Sequence, residues 1–146
     1  MKLPRQESAQ SYQRAAFMHL EAAELLLKDC SKHTGSTLAA EVVYLSGYVA
    51  ECALKSMLLT RTPLAKRKVL LENLRNPKLL GHDLEALHEE LDLRGVQLRT
   101  SLVTDLQLVR RYWNPQMRYS ALRYTREVAE KIFDAASRLL RWTTRG

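Results

Sequence analysis

The chain has 146 residues, 46% hydrophobic and 27% charged, which fits one soluble globular domain around one core. Five glycines and four prolines are too few for an architecture of many hairpins, so helices are expected. The net charge of +7 suits an acidic partner such as RNA, or self-association of unlike faces, though a solvated basic surface has the same signature.

The first helix is expected from about Ser8 to Asp29. At 100° per residue, Tyr12, Ala15, Ala16, Ala22, Ala23, Leu25, Leu26 and Leu27 form one broad apolar arc. His19 lies within that arc, where a hydrogen-bonded core histidine is the expected role. Ser31–Ser36 reads as a turn, with Ser36 as a candidate N-cap. The second helix, to about Thr60, carries only Glu41, Glu51 and Lys55 as charges. A helix this apolar all round belongs at the centre of a bundle. Gly47 at its middle costs roughly 1 kcal/mol against Ala, and close approach of another helix is the usual reason to accept that.

Val69–Leu74 reads as a helical turn or two, and Asn76-Pro77 as a break. His82 or Asp83 then caps a short helix to about Leu91. Gly95 separates it from a helix over Val96–Trp113. Asn114-Pro115 is a strong N-cap and first-turn pair, so a last helix is expected from Pro115 to about Trp142. The sum is an all-α, antiparallel up-and-down bundle of four long helices and one or two short ones. It is read as one domain, 1–146, with its core at 7–142 and with 1–6 and 143–146 frayed. No apolar run approaches the roughly 20 residues that cross a bilayer, and Met1–Gln13 has no apolar signal core. A cytoplasmic chain without membrane association is expected. Cys30 and Cys52 read as free thiols in preference to a disulfide, and no Cys/His cluster has zinc spacing.

Two charges point inward. Glu51 is embedded in an apolar stretch of the second helix. Arg118, on a last helix beginning at Pro115, would share the direction of Ala136. A buried charge without a partner costs several kcal/mol, so an ion pair between Glu51 and Arg118 is expected. Tyr44, Tyr48 and Lys55 lie on the Glu51 side of the second helix and extend the pair into a polar seam. That seam either sets helix register or lines a pocket for a nucleotide or RNA phosphate. A second constellation is basic and aromatic: Arg110, Arg111, Tyr112, Arg118, Arg123 and Arg126. Guanidinium planes suit phosphates and aromatic rings suit bases, while capping and ordinary solvation are the plain alternative. From Gly95 to Gly146 there are ten Lys/Arg against four Asp/Glu.

At this point the segments resemble the HEPN superfamily. Tyr44-Leu-Ser-Gly-Tyr-Val-Ala-Glu-Cys-Ala-Leu-Lys55 resembles its second helix. Gly81-His-Asp-Leu-Glu-Ala-Leu87 resembles the turn and helix found after it. Tyr112-Trp-Asn-Pro-Gln-Met-Arg-Tyr119 resembles the segment opening the final helix in one branch. The resemblance implies a bundle that forms a homodimer and binds or cleaves RNA or binds nucleotides. It also implies a toxin–antitoxin, phage-defence or stress-response setting, often with a nucleotidyltransferase-like antitoxin as partner. Catalytic members carry Arg, four to six residues, then His, near the start of the final helix, and cleave RNA without metal. This sequence has no His after His88. Arg14–His19 and Arg75–His82 have the spacing elsewhere, but the first pair diverges by about 140° on a helix.

The reading is therefore a non-catalytic RNA- or nucleotide-binding protein needing no cofactor and no metal. One alternative is a metal-independent endoribonuclease with a variant site drawn from Glu51, Lys55, His82, Arg118 and Tyr119. The other is a protein-interaction subunit of a larger complex.

Overall fold

In the computed structural model, residues 8–30, 37–119 and 123–145 are described, Arg118 and Tyr119 as backbone only. The first helix, α1 (Ala9–Lys28), starts with a reciprocal cap. The Ser8 hydroxyl accepts from the Ser11 amide at 3.2 Å, and the Ser8 amide donates to the Ser11 hydroxyl at 2.6 Å. Tyr12, Ala16, Ala23 and Leu27 are its buried stripe. Leu25 does not join them: it is 58% exposed, because it lies on the far side of the helix from those four. The turn expected over Ser31–Ser36, with its cap at Ser36, lies outside the described residues.

The central helix α2 (Thr37–Thr60) is buried all round from Val49 to Leu59, while Glu41 in its first half is exposed. It touches α1, α4 (Leu84–Leu93), α5 (Thr100–Tyr112) and α6 (Arg126–Arg145). Small residues make that possible. A Cβ on Gly47 would run into the Trp113 indole, so the close approach there is to a side chain rather than to another helix. Leu54, Leu58 and Leu59 have 1% exposure or less, and each such burial is worth about 1.5–3 kcal/mol. By length and composition α2 could also cross a membrane, contrary to the expectation from uninterrupted apolar runs. In this fold, 83% of its most apolar window is covered by the rest of the chain.

A short 3-10 turn (Leu64–Lys66) leads into α3 (Arg67–Arg75). Asp83, not His82, caps α4, accepting from the Ala86 amide at 3.1 Å. The end of α4 explains why α5 starts later than expected. Gly95 takes φ 75°, its amide donates to Asp92 O at 2.9 Å, and the Val96 amide donates to Leu91 O at 2.9 Å. This double closure turns the chain out of helix, so α5 starts at Thr100 instead of Val96.

The last helix is the main correction. It does not begin at Pro115. Asn114 does act as a cap, accepting from the Gln116 amide at 2.8 Å, but the element it caps is a 3-10 turn over Pro115–Tyr119. The α-helix begins at Arg126, where the Thr125 hydroxyl accepts from the Val128 amide at 3.2 Å. Arg118 therefore has no helical phase in common with Ala136. At the other end α6 continues through Arg145, beyond the expected limit at Trp142, and the Thr143 and Thr144 hydroxyls donate back to Leu140 O and Arg141 O. Among the described residues there are six α-helices and no strand: an all-α antiparallel bundle. Cys30 and Cys52 are buried thiols outside any disulfide among the described residues.

Candidate functional site

Tyr44, Tyr48, Glu51 and Lys55 share one face of α2 because they repeat at three and four residues. Among the described residues, Glu51 on that face meets His82 and Lys55. Glu51 Oε1 lies 2.7 Å from His82 Nδ1, and Glu51 Oε2 accepts from Lys55 Nζ at 3.3 Å. Both Glu51 and Lys55 side chains are 5% exposed, whereas that of His82 is 43% exposed. Lys55 also donates to Leu74 O at 3.0 Å and stands 5.5 Å from the Tyr12 ring centre. The side chains of Arg118 and Tyr119 lie outside the described residues, so the expected Glu51–Arg118 pair does too.

His82 reaches Glu51 because α3 ends at Arg75 and a tight turn returns the chain. The Gly81 amide donates to Asn76 O at 3.0 Å, and the Leu80 amide to Asn73 O at 3.2 Å. A Cβ on Gly81 would meet the Pro77 backbone, so only glycine fits before the histidine. With the Lys55 ammonium beside it, Glu51 acts as a carboxylate and can only accept. His82 Nδ1 therefore carries its proton and donates, which leaves Nε2 for another partner.

Aromatic rings wall this cluster. Tyr48 packs edge-to-face against Tyr44, His82 and Trp113, at 5.0, 6.0 and 5.3 Å between centres. Trp113 Nε1 donates to Tyr44 O at 3.0 Å, and the Tyr44 hydroxyl donates to Tyr48 Oη at 3.2 Å. His19 faces Tyr48 from α1 at 5.8 Å. It is half-buried, and burial lowers its pKa below 6.5 while the negative charge of Glu51 acts in the opposite direction. Arg14 is exposed and His19 half-buried. Arg75, also exposed, ends α3.

His82 lines a cleft of about 280 Å³ together with Asp83, Leu84, Arg110, Trp113, Asn114 and Pro115. Arg110 donates to Glu85 Oε2 at 2.7 Å, in a pair whose side chains are 40% and 57% exposed. Such a pair is worth about 0–1 kcal/mol, so a ligand phosphate can displace the carboxylate. Helical periodicity marks Trp113 only as a core residue, yet it walls both the seam and the cleft. The signal was Gly47, whose missing side chain leaves room for a large one.

A model of the HEPN domain matches residues 9–146. The chain belongs to the HEPN domain family. Membership ties it, in general terms, to nucleotide- and RNA-related function. No curated protein and no solved structure matches it. Within this HEPN chain the described members of the expected basic and aromatic constellation divide into two places. Arg111 is exposed and stands 5.8 Å from the Tyr112 ring, and Tyr112 meets Tyr124 edge-to-face at 6.1 Å. That contact, with the Tyr124 hydroxyl donating to Tyr112 O at 3.3 Å, joins the end of α5 to exposed Arg123 and half-buried Arg126. Arg126 lies 3.6 Å from Glu130. Arg110 turns instead to the His82 cleft. Among the described residues, no group of three His, Cys, Asp or Glu side chains could hold a metal ion.

Proposed function

We propose that this HEPN protein binds the phosphate of a nucleotide or of RNA in the His82–Arg110 cleft, without cleaving it. One observation carries the reading: an exposed imidazole is fixed from behind by a buried carboxylate, in the same cleft as a guanidinium held only by a surface pair. In its imidazolium form the ring donates through Nε2 as well, so that the imidazole and the guanidinium offer two cationic donors to one anion. The walls are the Trp113 indole, Leu84 and Pro115, suited to a base or sugar. Calorimetric titration with a nucleoside monophosphate tests it. A charged hydrogen bond is worth about 1.5–3 kcal/mol, so His82→Ala and Arg110→Ala should each weaken binding by about tenfold or more. Affinities unchanged in both variants would sink the reading.

The His82–Glu51 contact favours a second reading, a metal-independent endoribonuclease. With Nδ1 held by Glu51, Nε2 could take or give a proton, and Arg110 could stabilise charge on a phosphate. RNA cut in the presence of EDTA, and left intact by His82→Ala, would favour it over simple binding. The finer setting we propose, a homodimer in a toxin–antitoxin, phage-defence or stress-response system, draws its support from the family. An adjacent nucleotidyltransferase gene and the mass in solution are its tests. A failure of both the binding and cutting assays would turn attention to a protein partner.

A further inference from the structure

The sequence concentrates positive charge in its C-terminal third, and the His82 cleft uses only Arg110 of it. We propose that a second cleft, where α5 begins and α6 ends, docks the phosphodiester backbone of a single-stranded nucleic acid, whether or not the His82 cleft holds a phosphate. The second cleft measures about 220 Å³, and Arg99, Arg138, Arg141, Arg145, Trp142 and Asp105 are among the residues that line it. Arg138, Arg141, Trp142 and Arg145 fall at i, i+3, i+4 and i+7, so they share one face of α6. The row runs about 10 Å along the helix, long enough to follow a strand rather than grip one group.

The charge in this cleft is compensated only in part, with Asp134 adding its negative charge near Arg138 from one helical turn earlier. Asp105 is the only carboxylate lining it among the described residues. Its side chain is 9% exposed, and both oxygens are engaged by Arg138, through Nε at 2.9 Å and Nη2 at 2.9 Å. Asp105 thus fixes one guanidinium and leaves Arg99, Arg141 and Arg145, all exposed, around it. The C-terminal pole of α6 is a sufficient reason for Arg141 and Arg145 to sit where they do. It does not account for Arg99. That residue occupies the N-cap position of α5, gives no side-chain cap, and adds a cation to the positive end of a helix whose first turn holds no acid. A cation there is unfavourable on its own and favourable beside an anion.

Phosphodiester chemistry fits better than a carboxylate peptide because the row includes Trp142, a half-buried indole among planar guanidiniums. That combination serves backbone and base together. The cleft is smaller than the roughly 300–1,000 Å³ of pockets that enclose whole ligands, so the strand lies across it. On α5, Asp105 and Arg110 point about 140° apart, which sets this cleft apart from that of His82.

The test uses the full chain and a fluorescein-labelled oligouridylate, read by anisotropy over a range of salt. Arg141→Ala with Arg145→Ala should weaken binding by about tenfold and flatten the salt dependence by about 0.7 in log–log slope for each lost phosphate contact. Arg61→Ala with Lys66→Ala removes the same charge from exposed sites elsewhere and should change affinity far less. Quenching of Trp142 by the oligomer, assigned by its loss in Trp142→Phe, reports the same site without touching an arginine. Equal weakening by both charge-removing pairs, displacement of the strand by polyglutamate at matched charge, or no retention of the oligomer by the parent protein would each overturn the proposal.

Discussion

Glu51 and Asp105 are both nearly buried carboxylates paired with a long cation, and the two pairs do different things. Glu51 sits inside the bundle, and so does its partner: Lys55 is as hidden as the carboxylate. Asp105 is at the rim, and its partner Arg138 is 53% exposed. In the first pair both ions have left water, so each depends on the other and on Leu74 O and His82 for compensation. In the second, water still solvates much of the guanidinium, and the pair mainly orients it. A buried pair fixes architecture; a rim pair aims a side chain.

The largest expected effect comes from breaking the inner pair. Glu51→Ala strips Lys55 of its counter-ion and His82 of its anchor. Removing one partner of a buried pair costs about 3–5 kcal/mol, seen as a fall in the urea midpoint without a change in m. A loss under about 1 kcal/mol would mean that Lys55 reaches water, and the contrast between the two pairs would vanish. Next in size is Gly47→Ala, beside the same seam. The added methyl must displace the Trp113 indole, and overpacking of this kind costs about 1–3 kcal/mol, offset by roughly 1 kcal/mol of helix propensity. Near-ultraviolet circular dichroism should register the shifted indole. An unchanged aromatic signal with raised stability would show that the ring has slack.

The inner region was more legible in the sequence than the rim, for a physical reason. Tyr44, Tyr48, Glu51 and Lys55 lie on one continuous helix, so 100° per residue places them on one face. The partner of Glu51 was not legible in that way. His82 arrives by a turn closed on Asn73 and Asn76, and backbone closure has no periodicity to read. Arg118 looked inward only because one helix was extended through Pro115. Asn114 is a cap in either case, and Thr125 holds the second start signal, too ordinary a residue to overrule the Asn-Pro pair. The arginine row on α6 has helical spacing too, but Arg99 joins it only through the packing of α5 on α6.

At the rim the expected loss is smaller. Arg138→Ala removes a bidentate partner of Asp105, yet Arg138 is half in water, so stability should fall by about 1 kcal/mol. The same unfolding assay checks it. A loss as large as that of Glu51→Ala would show that Asp105 is as dependent on its partner as Lys55 is, and would erase the distinction between fixing and aiming.

The smallest effect is one of slope. His19 lies beside the inner region, half-buried against Tyr48, and burial holds its folded pKa below 6.5 despite the opposing pull of Glu51. Between the folded and unfolded values the unfolded chain holds more protons, so stability rises with pH there. The contribution of His19 is complete above about 6.5 and is lost as pH falls through the lower folded value. His19→Gln removes that component. Urea unfolding on the two sides of this window should then show a smaller drop on acidification in the variant than in the parent. An equal drop would assign the acid sensitivity to groups other than His19.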